Sequence, residues 1–123
     1  MTDNQIAKVV LDSAFEVHTI LGPGLLETVY RECLYYEIKS QGLFVEKEKL
    51  LPVQYKKISL HHGYRIDILV EKRIVIELKT VEGLNNSHIA QTLTYMRLGN
   101  FNLGLLLNFN ESLLRNGLKR LIL

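Results

Sequence analysis

Two short apolar segments joined by a tight turn constrain the fold of this chain more than any other feature. Residues 64–70 and 74–80 are short, mainly apolar segments separated by only three residues, which predicts an antiparallel β-hairpin. A turn centred on Lys72 forms two apolar cross-strand pairs, Val70 with Ile74 and Ile68 with Ile76. One face of the hairpin is then wholly apolar, with Ile66, Ile68, Val70, Ile74, Ile76 and Leu78. Because a slip of one residue would expose this face, burial defines the register.

The same register places two carboxylates, Asp67 and Glu77, directly opposite each other on the second face. Such side chains have Cβ atoms about 5 Å apart, and like charges at that position are destabilising. At an effective dielectric constant near 20, the repulsion is on the order of 3 kcal/mol. A divalent cation would remove the conflict, and Mg²⁺ is suitable because it accepts one or two carboxylates together with waters and substrate phosphate. Lys79, on the same face, could stabilise a developing negative charge.

The alternative interpretation is a surface network of ion pairs, with Arg65 paired to Glu77 and Lys79 paired to Asp67. An acid followed after nine residues by Glu-x-Lys is a short pattern that occurs by chance in many proteins. Spacing alone therefore favours the ion-pair network.

The N-terminal part of the sequence predicts two helices that bring a third acid toward the hairpin. Thr2 and Gln5 form a capping box for a first helix of about five turns, and Gly22-Pro23-Gly24 ends it. In a second helix, over about residues 25–41, Glu27 shares a helical stripe with Tyr30, Leu34 and Ile38. Two interpretations stay open for Glu27: an ion pair with Arg31 or a lysine, and a third acid near a metal ion.

A second stripe of the same helix is also apolar. It consists of Leu26, Val29, Cys33 and Tyr36.

Further along the chain, we predict a third helix and two more strands. Residues 87–98 place His88, Gln91 and Tyr95 on one polar stripe, which plain amphipathicity also explains. Residues 103–109 form a nearly continuous apolar run, as expected for a strand covered on both faces. Residues 118–123 form either a last strand or a segment that pairs with a partner chain. The order of elements predicts an α/β or α+β sandwich.

Composition narrows the class of protein without identifying it. A chain of 123 residues with 47% hydrophobic and 23% charged residues is typical of one folded domain, which we assign to residues 1–123. We find no apolar run of the roughly 18 residues that a membrane helix needs and no secretory signal. The single Cys33 fits a cytoplasmic location. A net charge of +2 permits binding to a polyanion but does not diagnose it.

Several of these segments, taken together, resemble a known family. The segments are Gly24-Leu25-Leu26-Glu27-Thr28-Val29-Tyr30, the RxDxxV segment Arg65–Val70, Glu77-Leu78-Lys79, Gln91 with Tyr95, and Gly104–Phe109. In this order they are similar to the GxxExxY family, which is assigned to the PD-(D/E)XK nuclease superfamily. The resemblance extends over nearly the whole chain, and it departs from the superfamily pattern at Ile66, where the name-giving proline would stand.

The resemblance implies a fold, a cofactor and a set of site residues. The fold would be an α/β, restriction-endonuclease-like core with a mixed β-sheet flanked by α-helices. Metal ligands for Mg²⁺ or Mn²⁺ would be Asp67, Glu77 and Glu27. The catalytic set would comprise Asp67, Glu77, Lys79, Glu27, Gln91 and Tyr95.

These expectations lead to competing hypotheses of function. The first is a metal-dependent nuclease that hydrolyses phosphodiester bonds of DNA or RNA. The alternative is a catalytically inactive module that keeps the nuclease fold and binds nucleic acid or protein. A third hypothesis gives the carboxylates a role in stability only. The apolar ending Leu121-Ile122-Leu123 could serve a homodimer interface or a closing strand.

Overall fold

The computed structural model describes all residues, 1–123, as three helices and seven strands. In chain order these are α1 (Asp3–Leu21), α2 (Glu27–Ser40), β1 (Val45–Leu50), β2 (Val53–Tyr55), β3 (Ile58–Leu60), β4 (Arg65–Val70), β5 (Ile74–Lys79), α3 (Asn86–Gly99), β6 (Leu103–Asn108) and β7 (Leu118–Ile122). A short 3₁₀ turn, Leu114–Gly117, precedes β7.

Five strands form one mixed sheet in the order β1-β4-β5-β6-β7. Only β5 and β6 run parallel, and the helix α3 connects them; the other neighbours are antiparallel. Strands β2 and β3 form a separate two-stranded sheet. The expected α/β class, a mixed sheet flanked by helices, is confirmed. The C-terminal segment is a closing strand of the sheet, because β7 pairs with β6.

Helices cover both faces of this sheet, and each face has its own core. The larger core joins α1 and α2 to the sheet and includes Ile6, Val10, Tyr30, Leu34, Ile38, Ile68, Val70, Ile74, Ile76 and Leu78. The smaller core lies under α3 and consists of Leu51, Ile66, Leu69, Val75, Tyr95 and Met96. Ile66 therefore corrects one expectation, since it packs with Leu69 and Val75 and not with the apolar face of the hairpin.

Local signals in the sequence account for most helix ends. The Thr2 hydroxyl accepts a hydrogen bond from the Gln5 amide at 3.1 Å, and the Gln5 side chain accepts one from the Thr2 amide at 2.8 Å, so the predicted capping box is present. Gly22 ends α1 at φ 67°, a conformation that favours glycine. Helix α3 begins earlier than predicted, because Asn85 and not Ser87 caps it.

The stripe of α2 that contains Glu27 faces the larger core, as predicted, since Tyr30, Leu34 and Ile38 are fully buried. The other predicted apolar stripe of α2 is largely exposed: Leu26 is 75% and Tyr36 69% accessible. None of the helices is long and apolar enough to cross a membrane.

Candidate active site

A polar cavity of about 230 Å³ opens where strands β4 and β5 diverge, between the N-terminus of α2 and helix α3. Ten residues line it: Glu27, Arg31, Glu48, Gly63, Arg65, Asp67, Glu77, Lys79, Gln91 and Tyr95. All six predicted catalytic residues are among them. A larger cleft, of about 410 Å³, lies between α1 and α2 and contains none of the six.

The hairpin brings the two central carboxylates into this cavity through an interrupted strand pairing. The two predicted apolar pairs of β4 and β5 form, and regular pairing then ends at Ile68 and Ile76. At the next position, that of Asp67 and Glu77, side-chain carboxylates accept the hydrogen bonds of backbone amides. The Asp67 amide donates to Glu77 Oε2 at 2.8 Å, and the Leu78 amide donates to Asp67 Oδ2 at 2.9 Å. Each of the two carboxylates thus binds a backbone amide of the opposite strand. The predicted backbone pair of Asp67 and Glu77 is not formed.

The ion-pair network proposed as an alternative is not formed. Neither Arg65 with Glu77 nor Lys79 with Asp67 makes an ion pair, and Glu27 has no ion-pair partner. The cavity's two arginines bind a different acid, Glu48, with Arg31 at 3.2 Å and Arg65 at 3.4 Å. The three predicted acids of the site therefore have no cation bound directly to them.

Sequence reasoning missed Glu48 as a cavity residue. It lies in β1, which runs beside β4, and regular pairing of these two strands skips Glu48 and Asp67. Glu48 also has a φ of 52°, an uncommon value for a residue other than glycine. Within the sequence it is one charge in the alternating stretch 46–49, and nothing in that stretch marks it.

Helix α3 supplies a hydrogen-bonded chain that ends on the lysine of the site. Lys79 Nζ donates to Gln91 Oε1 at 2.7 Å, and Gln91 Nε2 donates to the Tyr95 hydroxyl at 3.3 Å. Gln91 and Tyr95 are four residues apart and so share one face of the helix. Two residues of the predicted polar stripe, Gln91 and Tyr95, therefore line the cavity and orient Lys79. The third, His88, does not line the cavity, and its Nδ1 accepts a hydrogen bond from the Asn85 amide at the start of α3.

Burial shifts the acid–base equilibria of all three predicted acids in the same direction. Burial raises the pKa of Glu27, and the Asp67 carboxylate raises it further. Burial also raises the pKa of Asp67, although the Leu78 amide and the Lys79 ammonium oppose the change. The pKa of Glu77 lies well above its usual range, because the side chain is only 2% exposed and Asp67 is close.

Tyr95 is affected by the same group of charges. Burial raises the pKa of Tyr95, and the nearby Glu77 carboxylate raises it further. Its phenol therefore stays protonated and keeps a donor available in the cavity.

The side chains present suit a hard divalent cation. Two partly or fully buried carboxylates, Asp67 and Glu77, lack a cation partner and offer only oxygen donors, the type that Mg²⁺ and Mn²⁺ prefer. No group of three or more histidine, cysteine, aspartate or glutamate side chains lies close enough to hold a metal ion as arranged. Because Mg²⁺ usually keeps several waters and uses one or two carboxylates, the pair is a sufficient protein contribution.

Comparison with known proteins gives the family. The sequence profile of the PD-(D/E)XK nuclease superfamily matches residues 4–121, and the five-stranded mixed sheet with three helices is consistent with the restriction-endonuclease-like core of that superfamily. The chain therefore belongs to the PD-(D/E)XK nuclease superfamily. No curated protein and no solved structure matches the chain.

Proposed function

We propose that this protein is a metal-dependent nuclease that hydrolyses phosphodiester bonds of nucleic acid. The observation that carries the proposal is the pair of half-buried Asp67 and buried Glu77 in one cavity without a cation partner, with Lys79 on the strand of Glu77. Membership of the nuclease superfamily supports the same chemistry. We also propose the GxxExxY family as the subfamily, on the motif around Glu27.

Each side chain has a proposed role. Asp67 and Glu77 would hold Mg²⁺ or Mn²⁺. Glu27 lines the same cavity from α2 and would join them as a third ligand only after a change of side-chain conformation, since the three acids form no ready group as arranged. When bound, such an ion activates water and stabilises the charge of the phosphate in the transition state. Lys79 neutralises negative charge that develops on the phosphate oxygens. Gln91 and Tyr95 orient Lys79, which limits the number of conformations that its flexible side chain can adopt.

The test is cleavage of single- and double-stranded DNA and RNA by the purified protein with Mg²⁺ or Mn²⁺. We expect the Glu77→Ala and Lys79→Ala variants to lose about 100-fold or more in rate, as is usual when a charged group that stabilises a transition state is removed. Glu82→Ala is the matched control, because Glu82 is exposed and lies outside the cavity. If the two cavity variants cut as fast as the wild type, the assigned roles are wrong.

The same assay tests the alternative of an inactive nucleic-acid-binding module. Asp67 and Glu77 each already accept a backbone amide of the opposite strand, and this structural engagement is the observation that favours the second function. Binding without products, and without dependence on divalent metal, would support it over the nuclease.

The remaining expectations concern the context in which the protein works. We propose residues 1–123 as a single domain and a cytoplasmic location, supported by the lone Cys33. We also propose a homodimer as the working form, in which the exposed Ile122 on the edge strand β7 contributes to the interface. Light scattering should then give twice the chain mass of 14.2 kDa.

A further inference from the structure

A protruding segment beside the cavity, residues 52–65, has features that the cavity chemistry does not explain. This segment, here called the arm, contains the two-stranded sheet of β2 and β3. Every residue of the arm except Val53 is exposed. A two-stranded hairpin alone is marginally stable in water, yet this one leaves Tyr55 59% and Ile58 52% exposed. The arm therefore contributes little to the core, which points to a role at the surface.

Charge is distributed unevenly between the arm region and the rest of the chain. Residues 49–66 hold four of the 15 lysines and arginines and none of the 13 acids. The remainder of the chain accordingly has a net charge of −2, although the whole chain has +2. His61 and His62 lie in the same acid-free stretch. Lys49 pairs with Glu46 and Arg65 with Glu48, so Lys56 and Lys57 are the cations of this stretch that no acid neutralises. Unpaired lysines are suited to contact the phosphates of a nucleic acid.

At the tip of the arm, positive charge and an aromatic ring occur together. Lys56 and Lys57 form the turn between β2 and β3, and Lys56 Nζ lies 5.4 Å from the centroid of the Tyr55 ring. Lys56 has a φ of 52°, where asparagine or glycine would be less strained. Lys56 therefore occupies a turn position whose backbone conformation is unfavourable for lysine.

The arm also leads directly into the cavity. Gly63 and Arg65, at its C-terminal end, line the cavity. Between them, Tyr64 is exposed and its ring lies edge-on to Tyr95, with 6.3 Å between the centroids. A polymer that follows the arm from its tip, over the six residues from Lys57 to Gly63, travels roughly 20 Å at most and arrives at the carboxylates.

We infer that the arm binds a single-stranded stretch of nucleic acid and guides it to the cavity, an inference that rests on the proposed function. Lysine side chains contact the phosphates, and the exposed rings of Tyr55 and Tyr64 stack on bases. Stacking of this kind requires unpaired bases and does not depend on sequence. A duplex keeps its bases stacked on each other, so the tyrosines would add nothing to its binding.

The test is the affinity of the full chain for fluorescein-labelled 20-mers, measured by fluorescence anisotropy in EDTA so that no cleavage occurs. The probes are oligo-dT, oligo-U and a 20-bp DNA duplex. We expect tighter binding of the single strands than of the duplex. Which of the two single strands binds more tightly then distinguishes DNA from RNA as the guided strand.

Two sets of variants distinguish binding by the arm from a general effect of positive charge. Lys56→Asn with Lys57→Gln should weaken single-strand binding about 10-fold, and should reduce the slope of log K against log salt by about 1.4, which corresponds to two lost phosphate contacts. Lys8→Gln with Lys39→Gln removes the same charge from exposed positions on α1 and α2 and should have a much smaller effect.

Tyr55→Ala should weaken binding about 10-fold, whereas Tyr36→Ala, on the exposed face of α2, should not. Circular dichroism of each variant verifies folding, and the salt slope gives a second readout that instability would not reproduce. Wild-type affinity and slope in the arm variants, or tighter binding of the duplex, would overturn the inference.

The experiment also separates this inference from the proposed function. Arm-dependent binding together with no metal-dependent cleavage would refute only the nuclease. Metal-dependent cleavage together with arm-independent binding would refute only the proposed role of the arm.

Discussion

At the scale of single residues, the site combines satisfied hydrogen bonds with unbalanced charge. Asp67 and Glu77 each accept an amide proton from the opposite strand, so neither carboxylate lacks a donor. Both nevertheless have a raised pKa, mainly because burial penalises the charged form. The hydrogen bonds therefore stabilise the positions of the two side chains, whereas burial of their negative charge costs free energy. Such a conflict is expected of residues at a functional site.

Glu77→Gln should stabilise the protein in EDTA at neutral pH. The amide oxygen can still accept from Asp67, and the buried negative charge is removed. We expect a gain on the order of 1 kcal/mol, or about 4 °C in Tm, measured by thermal unfolding. Glu82→Gln, at an exposed position, should leave Tm within about 1 °C.

The pH dependence of that gain follows from the sign of the pKa shift. Because the folded protein holds the Glu77 proton more tightly than the unfolded chain, stability falls as pH rises from the ordinary glutamate pKa through the raised one. The gain should therefore disappear below the ordinary pKa, where both states are protonated. A gain that persists unchanged at low pH would contradict the assignment.

Gln91→Ala should slow cleavage through Lys79. The substitution removes the acceptor of Lys79 Nζ, and loss of such a supporting contact typically costs 10- to 100-fold. We expect kcat to fall and KM to change little, because Gln91 orients the lysine and Lys79 acts in the transition state. Steady-state kinetics measure this, with Arg97→Gln on the exposed side of α3 as the control.

At the scale of elements, the placement of α3 depends on a close approach to β6. A Cβ on Gly104 would lie 2.6 Å from Met96 Sδ and 3.4 Å from Thr92 Cγ2, and Met96 and Thr92 are fully buried. Glycine at this position lets the helix approach the sheet, and the same helix carries Gln91 and Tyr95 over the cavity. Packing in the smaller core and the geometry of the site are therefore linked.

Gly104→Ala should destabilise the protein by about 1–3 kcal/mol, the usual cost of overpacking a core. Met96→Ala alone should cost about 2–5 kcal/mol through the cavity it leaves. The double variant should cost less than the sum, because each change relieves the other. Denaturant unfolding measures the cycle, and strict additivity would show that Gly104 and Met96 do not limit each other.

At the scale of the whole molecule, the site lies where the two helical layers and the sheet meet. Glu27 comes from α2 on the side of the larger core, whereas Gln91 and Tyr95 come from α3 on the other side. Because the residues that line the cavity belong to the hairpin, α2 and α3, which are distant in sequence, their convergence exists only in the folded chain. A cation that binds there should therefore stabilise the fold as a whole.

Millimolar Mg²⁺ or Mn²⁺ should raise the Tm of the wild type. A concentration of 100 times Kd corresponds to about 2.7 kcal/mol. Asp67→Asn should lose most of the increase, whereas Asp12→Asn, at an exposed acid of α1, should keep it. Equal increases in all three proteins would indicate general ionic effects and not a site on the hairpin.

Features of the fold that depend on residues close in sequence were predicted more accurately than features that depend on distant residues. The hairpin register near its turn and the helix ends at Thr2 and Gly22 were predicted correctly, because they depend on neighbours a few residues away. Asn85 was missed in favour of Ser87, since either polar residue can cap a helix. The sequence did not show which apolar stripe of α2 the sheet covers, because amphipathicity alone does not distinguish the stripe of Tyr30 from the exposed stripe of Tyr36.

The sequence by itself determined the α/β class and the hairpin that carries Asp67, Glu77 and Lys79, since periodicity and spacing are local properties of the chain. The resemblance to a known family added Glu27, Gln91 and Tyr95 as candidate residues. Only the tertiary structure decided that Ile66 belongs to the smaller core and that Glu48 takes both arginines of the cavity. It also decided that Asp67 and Glu77 bind each other's backbone amides. The physical reason is that burial and ion pairing depend on contacts between segments far apart in sequence. Each charged residue has several possible partners there, and only the packing of the folded chain selects one of them.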